Sequence, residues 1–444
     1  MSIVVSRKSL TEEQAYSIAR GLILQPEEKF RPGKHFGGGQ PKEGIPMYHK
    51  VGDNVYLPYT FAKCYLNVKP EPKPPCSIPF KGTPRPNQVS KIEEAMQQLK
   101  EYGTTTLQLD TAYGKTFIST YLASQLGRLT LVLFNMNIVK DQWIKTFQTA
   151  TDCLIWDTTK KPPPSINVIV CSTGRLSHIP EEILSQVGTV IMDESHRLCV
   201  KDAISAILKV TPEYLIASSY TYERGDNSHT FMDAVMGLHR IHGRLDINIT
   251  AVTCYTGFKY GTLPKNKTGG PDWAEIVKMI ANNEERNKFV CDLVQANLHR
   301  KIMVLTPLIE LTKHICQMLI DRGIKADYIT SKKSKYQSGN VLVGTVAKIS
   351  TAFDEKNYCP DYDGVPSNML INMASNKERN LIVQTAGRMK RCDNTYMVDI
   401  VDDITILKRH VKERAKIYEE EGYAMMEING LFQVPEYPAI DAKN

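Results

Sequence analysis

From about residue 84 onward, short continuous apolar runs alternate with segments in which apolar residues recur at helical spacing. Runs such as Thr130–Phe134 and Gly188–Met192 consist almost entirely of apolar and β-branched residues, which predicts strands buried on both faces. The intervening segment Val139–Thr149 has one apolar face and predicts a helix. Strands and helices that alternate in this way form parallel sheets covered by helices. The pattern therefore predicts an α/β fold.

The alternation occurs twice, which predicts two tandem parallel-sheet domains. We expect the first domain to cover residues 81–256 and the second to cover residues 284–444. The second ends in a charged amphipathic segment, Thr405–Glu421, which predicts a final helix. Residues 257–283 between the domains are polar, glycine-rich and basic, and they are expected to form a linker.

Residues 1–80 have a different character, because half of the chain's 24 prolines lie before Gln88. Leu10–Ile23 predicts a helix, with Thr11 as its N-cap. Met47–Pro58 predicts a hairpin that turns around residues 52–54. We expect this part of the chain to be a small N-terminal accessory region attached to the first sheet domain.

Composition limits the class of protein. A hydrophobic content of 42% with 23% charged residues is ordinary for a soluble globular chain, and the net charge of +7 favours a polyanionic partner. The ten cysteines form no Cys-x-x-Cys pair, which argues against a zinc ribbon and fits a reducing compartment. No apolar stretch has the length of a signal peptide or a membrane span. We therefore expect a soluble, intracellular protein without a membrane partner.

A candidate phosphate-binding loop follows the predicted strand Thr104–Leu109. The loop ends in Gly114-Lys115-Thr116, and the residues after it have helical periodicity. In such a loop, backbone N–H groups receive phosphate oxygens, the lysine supplies a positive charge and the threonine hydroxyl binds Mg²⁺. The match is incomplete, since the full pattern has a glycine where Leu109 stands.

A pair of carboxylates follows another predicted strand, because Thr189–Met192 leads directly into Asp193 and Glu194. Open α/β sheets bind ligands at the carboxyl ends of their strands. One aspartate is enough to complete a magnesium site that also uses Thr116, water and phosphate oxygens. The adjacent Glu194 is then available to orient and deprotonate an attacking water.

The segment Asp193-Glu-Ser-His196 resembles the DEAH box of superfamily-two helicases, and further segments resemble other motifs of that family in the family's order. The Gln-Trp pair at 142–143 is similar to the branch that contains the repair helicase XPB and phage UvsW, and Trp143 is predicted to be a core residue. The chain also resembles helicases of large DNA viruses, including the poxvirus transcript-release DNA helicase. The remaining motif-like segments are Arg85–Gln88, Phe134–Trp143, Cys171–Arg175, Ser219–Arg224, Val341–Thr345, Ser350–Asp354 and Gln384–Arg391.

The resemblance implies two tandem RecA-like domains that use ATP and Mg²⁺, and it assigns roles to individual residues. Those implied to bind the nucleotide are Arg85, Gln88, Thr111, Ala112, Tyr113, Gly114, Lys115 and Thr116. Those implied to bind the metal are Thr116 and Asp193. Those implied to be catalytic are Lys115, Glu194, Gln384, Arg388 and Arg391, the two arginines acting as arginine fingers.

Two further sets of roles concern nucleic acid. Residues implied to contact it are Asn135, Thr173, Arg175, Thr306, Thr345 and Lys348. Residues implied to couple it to hydrolysis are His196, Ser219, Thr221 and Asp354. Hydroxyl and amide contacts to phosphates give a grip that does not depend on sequence, as a translocating motor needs.

The sequence thus predicts an ATP-dependent helicase or translocase whose partner is nucleic acid, DNA rather than RNA. By resemblance it would serve viral transcription, replication or repair, with partners in that machinery, in the virion or in the cytoplasm or nucleus of a host cell. One alternative is an ATP-driven transcript-release factor or duplex translocase that does not separate strands. Another is a non-enzymatic, degenerate helicase module within a larger complex, since Ala112, Tyr113, Tyr220 and Tyr222 depart from the family's motifs.

Overall fold

The structure is a computed structural model that describes residues 1–25, 44–110, 112–135, 139–195, 198, 201–219, 229–350 and 353–436. The chain divides into two compact units, Met1–Arg244 and Leu245–Asn444. Each unit contains one large parallel sheet with helices packed against it. The predicted α/β fold class, with two tandem RecA-like sheets, is confirmed.

Unit 1 begins with a small antiparallel sheet of the order β1-β5-β4. Its register pairs Ile3 with Leu57, and both side chains are buried in the same apolar cluster as residues of the large sheet that follows. The amide of Ser2 donates to the carbonyl of Val210 (3.0 Å), so this region is built into unit 1. The elements are β1 (Ser2–Ser6), α1 (Glu12–Gly21), β2 (Ile23–Leu24), β3 (Ile45–Pro46), β4 (His49–Val51), β5 (Asn54–Pro58) and α2 (Tyr59–Tyr65).

Seven described strands form the large sheet of unit 1, in the order β12-β6-β11-β10-β7-β9-β8, and every pairing between them is parallel. The elements are α3 (Pro86–Tyr102), β6 (Thr104–Leu109), α4 (Lys115–Leu126), β7 (Thr130–Phe134), α5 (Lys140–Ala150), β8 (Ile155–Asp157), β9 (Val168–Ser172), α6 (Glu181–Leu184), β10 (Thr189–Asp193), α7 (Lys201–Leu208), β11 (Tyr214–Ser218), α8 (Thr230–Met236) and β12 (Ile241–Gly243). The central strand β7 is buried along its length, and β10 is buried except for its last residue, Asp193, as apolar runs of this kind require.

Unit 2 contains a second sheet, whose seven described strands follow the order β15-β16-β14-β17-β18-β13-β19, again with parallel pairings. The elements are β13 (Ile249–Tyr255), α9 (Trp273–Ala281), α10 (Glu284–Ala296), β14 (Ile302–Thr306), α11 (Ile309–Asp321), β15 (Ala326–Ile329), β16 (Val341–Thr345), α12 (Val346–Ser350), α13 (Glu355–Tyr358), β17 (Met369–Asn372), α14 (Arg379–Met389), β18 (Thr395–Val401), α15 (Thr405–Glu420) and β19 (Ala424–Asn429).

The division of the chain differs from the sequence expectation, which ended the first domain at residue 256. The strand β13 pairs with β18 and β19, so it belongs to the second sheet and the division falls before it, at residues 244–245. The expected linker 257–283 contains α9, whose Ile276 and Ile280 are buried against α15 residues such as Leu407. Pairing of β13 is long-range in sequence, which is why local patterns placed it with the preceding strands.

Among the described residues, the longest helices lack the continuous apolar length that a membrane crossing requires.

Candidate functional site

The segment Asp110–Thr116 leads from the end of β6 into α4. Gly114 is the N-cap of α4 and has a φ of 94°, a backbone conformation that favours glycine. A Cβ atom at this position would lie 2.5 Å from Nε2 of Gln88, so any other residue would displace the Gln88 amide. Because glycine has no side chain, it leaves the first-turn amides of α4 uncapped by its own residue, and such amides bind phosphate oxygens well.

Tyr113 and Gln88 anchor this loop to α3. Tyr113 is only 5% exposed, and its hydroxyl donates to the carbonyl of Asn87 (2.6 Å). The side-chain amide of Gln88 accepts from the Arg85 backbone N–H (2.9 Å) and donates to the carbonyl of Tyr113 (2.8 Å). Gln88 therefore braces the loop, and its contact with adenine remains a prediction.

Lys115 and Thr116 open α4 directly after the loop. The Lys115 ammonium donates to the carbonyl of Leu109 (2.8 Å), which folds the side chain back toward the end of β6. The Thr116 hydroxyl accepts a long hydrogen bond from Nε2 of Gln142 (3.5 Å). Ala112 is half-buried, while Thr111, also predicted for this loop, lies outside the described residues.

Asp193 ends β10, and two side chains orient its carboxylate. Trp143 donates from its indole Nε1 to Oδ2 (2.8 Å), and Ser218 donates from its hydroxyl to Oδ1 (2.9 Å). Burial and then the neighbouring Glu194 carboxylate raise the pKa of Asp193, whereas these two hydrogen bonds and the Lys115 charge lower it. Lys115 is thus near enough to Asp193 to influence its charge.

Glu194 has a φ of 49°, an uncommon value for a residue with a side chain. Strained backbone of this kind is often found where a functional side chain has to be directed. It occurs here one residue after Asp193, at the carboxyl end of the sheet. The conformation sets Glu194 apart from the extended residues of β10 before it.

Two predicted nucleic-acid residues of unit 1 lie together, since the Thr173 hydroxyl donates to Oδ1 of Asn135 (3.4 Å). Both follow strands that are neighbours in the sheet, β9 and β7, and Arg175 beside them is exposed. The amide of Ser219, predicted as a coupling residue, donates to the Leu107 carbonyl (3.2 Å), and its side chain is 1% exposed. His196 and Thr221 lie outside the described residues.

Two of the residues predicted to contact nucleic acid in unit 2 have little exposed surface, and their role stays a prediction. Thr306 is fully buried, and its hydroxyl bonds with Thr312 (2.6 Å) inside the unit, so its side chain is not a surface contact. Thr345 is only 8% exposed, at the end of β16, which lies between β15 and β14 in the sheet. Lys348 is partly exposed, and its ammonium lies 4.7 Å from the centre of the Tyr358 ring.

The predicted catalytic arginines of unit 2 contact Ser350, Phe353 and Asp354. Arg388 donates to the carbonyls of Phe353 (3.0 Å) and Ser350 (3.1 Å). Arg391 makes two hydrogen bonds to the carboxylate of Asp354 (3.3 and 3.2 Å). Gln384 lies on the same helix, α14, and is half-buried.

Residues 81–224 match the family model described as "Type III restriction enzyme, res subunit". "Putative helicase 161L" of Invertebrate iridescent virus 6 is 26% identical over 422 residues, which cover 86% of this chain and 92% of that protein. "Putative helicase 055L" of Frog virus 3 is 25% identical and covers 84% of this chain and 86% of the relative. The chain is related to the superfamily-two helicases. This relationship indicates an ATP-hydrolysing enzyme of the helicase type that binds nucleic acid.

A solved structure supports the fold alone. "S. cerevisiae Dbp5 bound to RNA and ADP BeF3" aligns with a TM-score of 0.50 and 13% identity, covering 76% of this chain and 89% of that one.

Sequence reasoning did not assign a role in the site to Ser218, Gln142 or Trp143. The only available signal was the Gln-Trp pair itself, because Ser218 and Trp143 approach Asp193 from positions 25 and 50 residues away.

Proposed function

We propose that the chain is an ATP-driven motor that moves along DNA and takes part in transcription, replication or repair of a large DNA virus. The proposal rests on the positions of the polar and charged residues that lie together at the carboxyl edge of the first sheet. Lys115 and Thr116 follow β6, Ser218 ends β11 and Asp193 ends β10, and these three strands are adjacent. This is the edge at which α/β sheets bind ligands.

The residues at this edge fit a magnesium ion. Asp193 offers a carboxylate and Thr116 a hydroxyl, and such oxygen donors, few in number, suit an ion that keeps several waters and binds phosphate. The carboxylate is largely desolvated, and a nearby cation would stabilise its charged form. When bound, Mg²⁺ would neutralise charge on the β- and γ-phosphates.

The chain's own residues supply the other parts of the reaction. The first-turn amides of α4 and the Lys115 ammonium would hold the phosphates. Glu194 would orient a water molecule and accept its proton as the water attacks the γ-phosphorus. Arg388 and Arg391 would neutralise the charge that develops on the transferred group, as the sequence predicts.

The proposed nucleic-acid contacts begin with Asn135, Thr173 and Arg175. Two of these side chains are hydrogen-bonded to each other and Arg175 is exposed, so they form one surface at the ends of β7 and β9. Lys348 of unit 2 would add positive charge. We propose DNA and not RNA as the polymer because the sequence resembles the XPB and UvsW branch.

ATP turnover measured in parallel with single-stranded DNA, duplex DNA and RNA tests the proposal. We expect at least about tenfold stimulation by one form of DNA over RNA, which corresponds to about 1.4 kcal/mol. Lys115→Ala should abolish turnover, and Lys145→Ala, an exposed lysine on α5, should not. Stimulation by RNA that equals or exceeds stimulation by DNA would contradict the assignment of DNA. Absence of ATP turnover with every polymer would contradict the proposal that the chain is an ATP-driven motor.

A further inference from the structure

Two consecutive residues in the first turn of α5 contact both predicted magnesium ligands. Nε2 of Gln142 donates to the Thr116 hydroxyl (3.5 Å), and Nε1 of Trp143 donates to Oδ2 of Asp193 (2.8 Å). Thr116 and Asp193 lie on different elements, α4 and β10, so helix α5 is a common support for the two ligands.

The hydrogen bond from Trp143 to Asp193 is made by a buried side chain that packing holds in place. The side chain is 1% exposed and packs near Phe147, with 6.2 Å between ring centres. A buried indole N–H has to find an acceptor, and it can only donate. The Asp193 carboxylate therefore receives a fixed donor on Oδ2 and a second donor, Ser218, on Oδ1. Two donors on separate oxygens hold the carboxylate plane in one orientation, and each oxygen retains a lone pair for a cation.

The Gln142 contact is longer and weaker, yet it acts on the other ligand. A hydroxyl that accepts from Gln142 retains a second lone pair, which is the one a metal would use. Gln142 is half-buried, so its amide is partly screened from water. The pair thus restrains the carboxylate strongly and the hydroxyl lightly.

We propose that Gln142 and Trp143 are positioning residues that preorganise Asp193 and Thr116 for the magnesium of Mg²⁺·ATP. The inference rests on the proposed function. Outer-shell partners of metal ligands change metal affinity by about 10- to 100-fold when they are removed. Trp143 makes the shorter bond, to the charged ligand, so its N–H should matter more than the Gln142 amide.

The test measures the affinity of Mn²⁺ for the protein bound to the non-hydrolysable analogue AMP-PNP, by electron paramagnetic resonance, without turnover. Trp143→Phe keeps an aromatic ring, although a smaller one, and removes the N–H donor, and we expect its Mn²⁺ affinity to fall by about tenfold or more. Gln142→Ala should lower the affinity by a smaller factor. The matched controls are Phe147→Leu, which alters packing beside Trp143, and Asp141→Asn on the exposed side of α5. Both controls should bind Mn²⁺ as the wild type does.

The Mg²⁺ concentration for half-maximal ATP turnover should rise in Trp143→Phe by a similar factor. Unchanged Mn²⁺ affinity in Trp143→Phe, or an equal loss in Phe147→Leu, would overturn the positioning role. If Trp143→Phe does not fold, Ser218→Ala removes the other donor to Asp193, and unchanged affinity there and in Gln142→Ala counts against the proposal. A wild type that turns over ATP while these variants bind Mn²⁺ normally rejects this inference alone. A wild type that neither binds Mn²⁺·AMP-PNP nor hydrolyses ATP rejects the proposed function, and this inference with it.

Discussion

Arg391 and Asp354 form an ion pair with two hydrogen bonds, in which both guanidinium Nη atoms contact separate carboxylate oxygens at 3.3 and 3.2 Å. Arg388 binds the carbonyls of Ser350 and Phe353 in the same segment. Arg388 of α14 and Arg391, two residues beyond the end of that helix, are therefore attached to Ser350, Phe353 and Asp354. Movement of these three residues would shift the two guanidinium groups, which fits the predicted coupling role of Asp354.

Replacing either arginine should reduce ATP turnover severely. An arginine finger contributes about 10³- to 10⁵-fold to rate in well-studied phosphoryl transfer, so we expect Arg391→Ala to lose at least about 10²-fold in kcat. Arg391→Lys should recover little, because an ammonium cannot match a planar, two-bond contact. Arg409→Ala, an exposed arginine of α15, is the matched control. Turnover in Arg391→Ala that equals the control would remove this residue from the reaction.

Gln88 offers a test of how the loop is held. The amide oxygen of Gln88 bonds to the backbone of Arg85, and the amide nitrogen bonds to the backbone of Tyr113. Gln88→Ala should therefore weaken the binding of ATP and of GTP to the same extent. Loss of two hydrogen bonds at about 1 kcal/mol each predicts a rise in KM of about tenfold or more for both nucleotides. Steady-state kinetics with each nucleotide measures it, with the exposed Gln97→Ala of α3 as control. A loss confined to ATP would show instead that Gln88 reads the base.

Much of the fold could be predicted from the sequence, because the elements have strong local signals. The helix start at Thr11 is an example, since its capping box with Gln14 is present as the residue types imply. Local signals fail where pairing is distant in the chain: β13 looks like a continuation of the first sheet, yet its partners are β18 and β19. Short edge strands such as β8 and β12 also lack a sufficient pattern of their own.

The candidate site was predictable in its ligands and less so in what surrounds them. Motif spacing places Lys115, Thr116 and Asp193 because strand ends in parallel sheets share an edge. Motif spacing cannot predict that the indole N–H of Trp143 donates to Asp193, because that contact depends on how α5 packs against β10. For the same reason the burial of Thr306 was not foreseen, since the last residue of β14 is covered by contacts such as the one with Thr312.

A buried ion pair in unit 2 should contribute most of the stability of the contact between α15 and β18. Arg414 is 1% exposed and donates to Oδ2 of Asp399 (2.8 Å), which also accepts from the Tyr418 hydroxyl (3.1 Å). Arg414→Ala leaves Asp399 buried without its cation, which costs about 3 to 5 kcal/mol. Denaturant unfolding monitored by circular dichroism measures the loss, with the exposed Lys412→Ala on the same helix as control. A loss no larger than that of Lys412→Ala would contradict the account of this pair.

Unit 1 should lose stability as the solution becomes mildly acidic. Burial lowers the pKa of His239 below its ordinary value of 6.5, and its ring stacks on Tyr102 with 4.6 Å between centres. Between the lowered pKa and 6.5 the unfolded chain binds a proton that the folded chain does not, so stability falls as the pH falls below 6.5.

Melting temperatures from about pH 8 to about pH 5 should therefore decline in the wild type and decline less in His239→Gln. His410 in unit 2 also has a pKa lowered by burial, so some dependence will persist in that variant. The exposed His242→Gln provides the comparison. Equal slopes for the wild type and His239→Gln would refute the assignment to His239.

We propose that ATP is hydrolysed at the carboxyl edge of the first sheet with Glu194 as the base. Glu194→Gln keeps the size of the side chain and its ability to form hydrogen bonds but cannot accept the proton. Single-turnover hydrolysis of ATP, with DNA present, should proceed in the wild type and fall by at least about 10²-fold in Glu194→Gln, while equilibrium binding of ATP is retained. Hydrolysis at the wild-type rate in Glu194→Gln would contradict the claim.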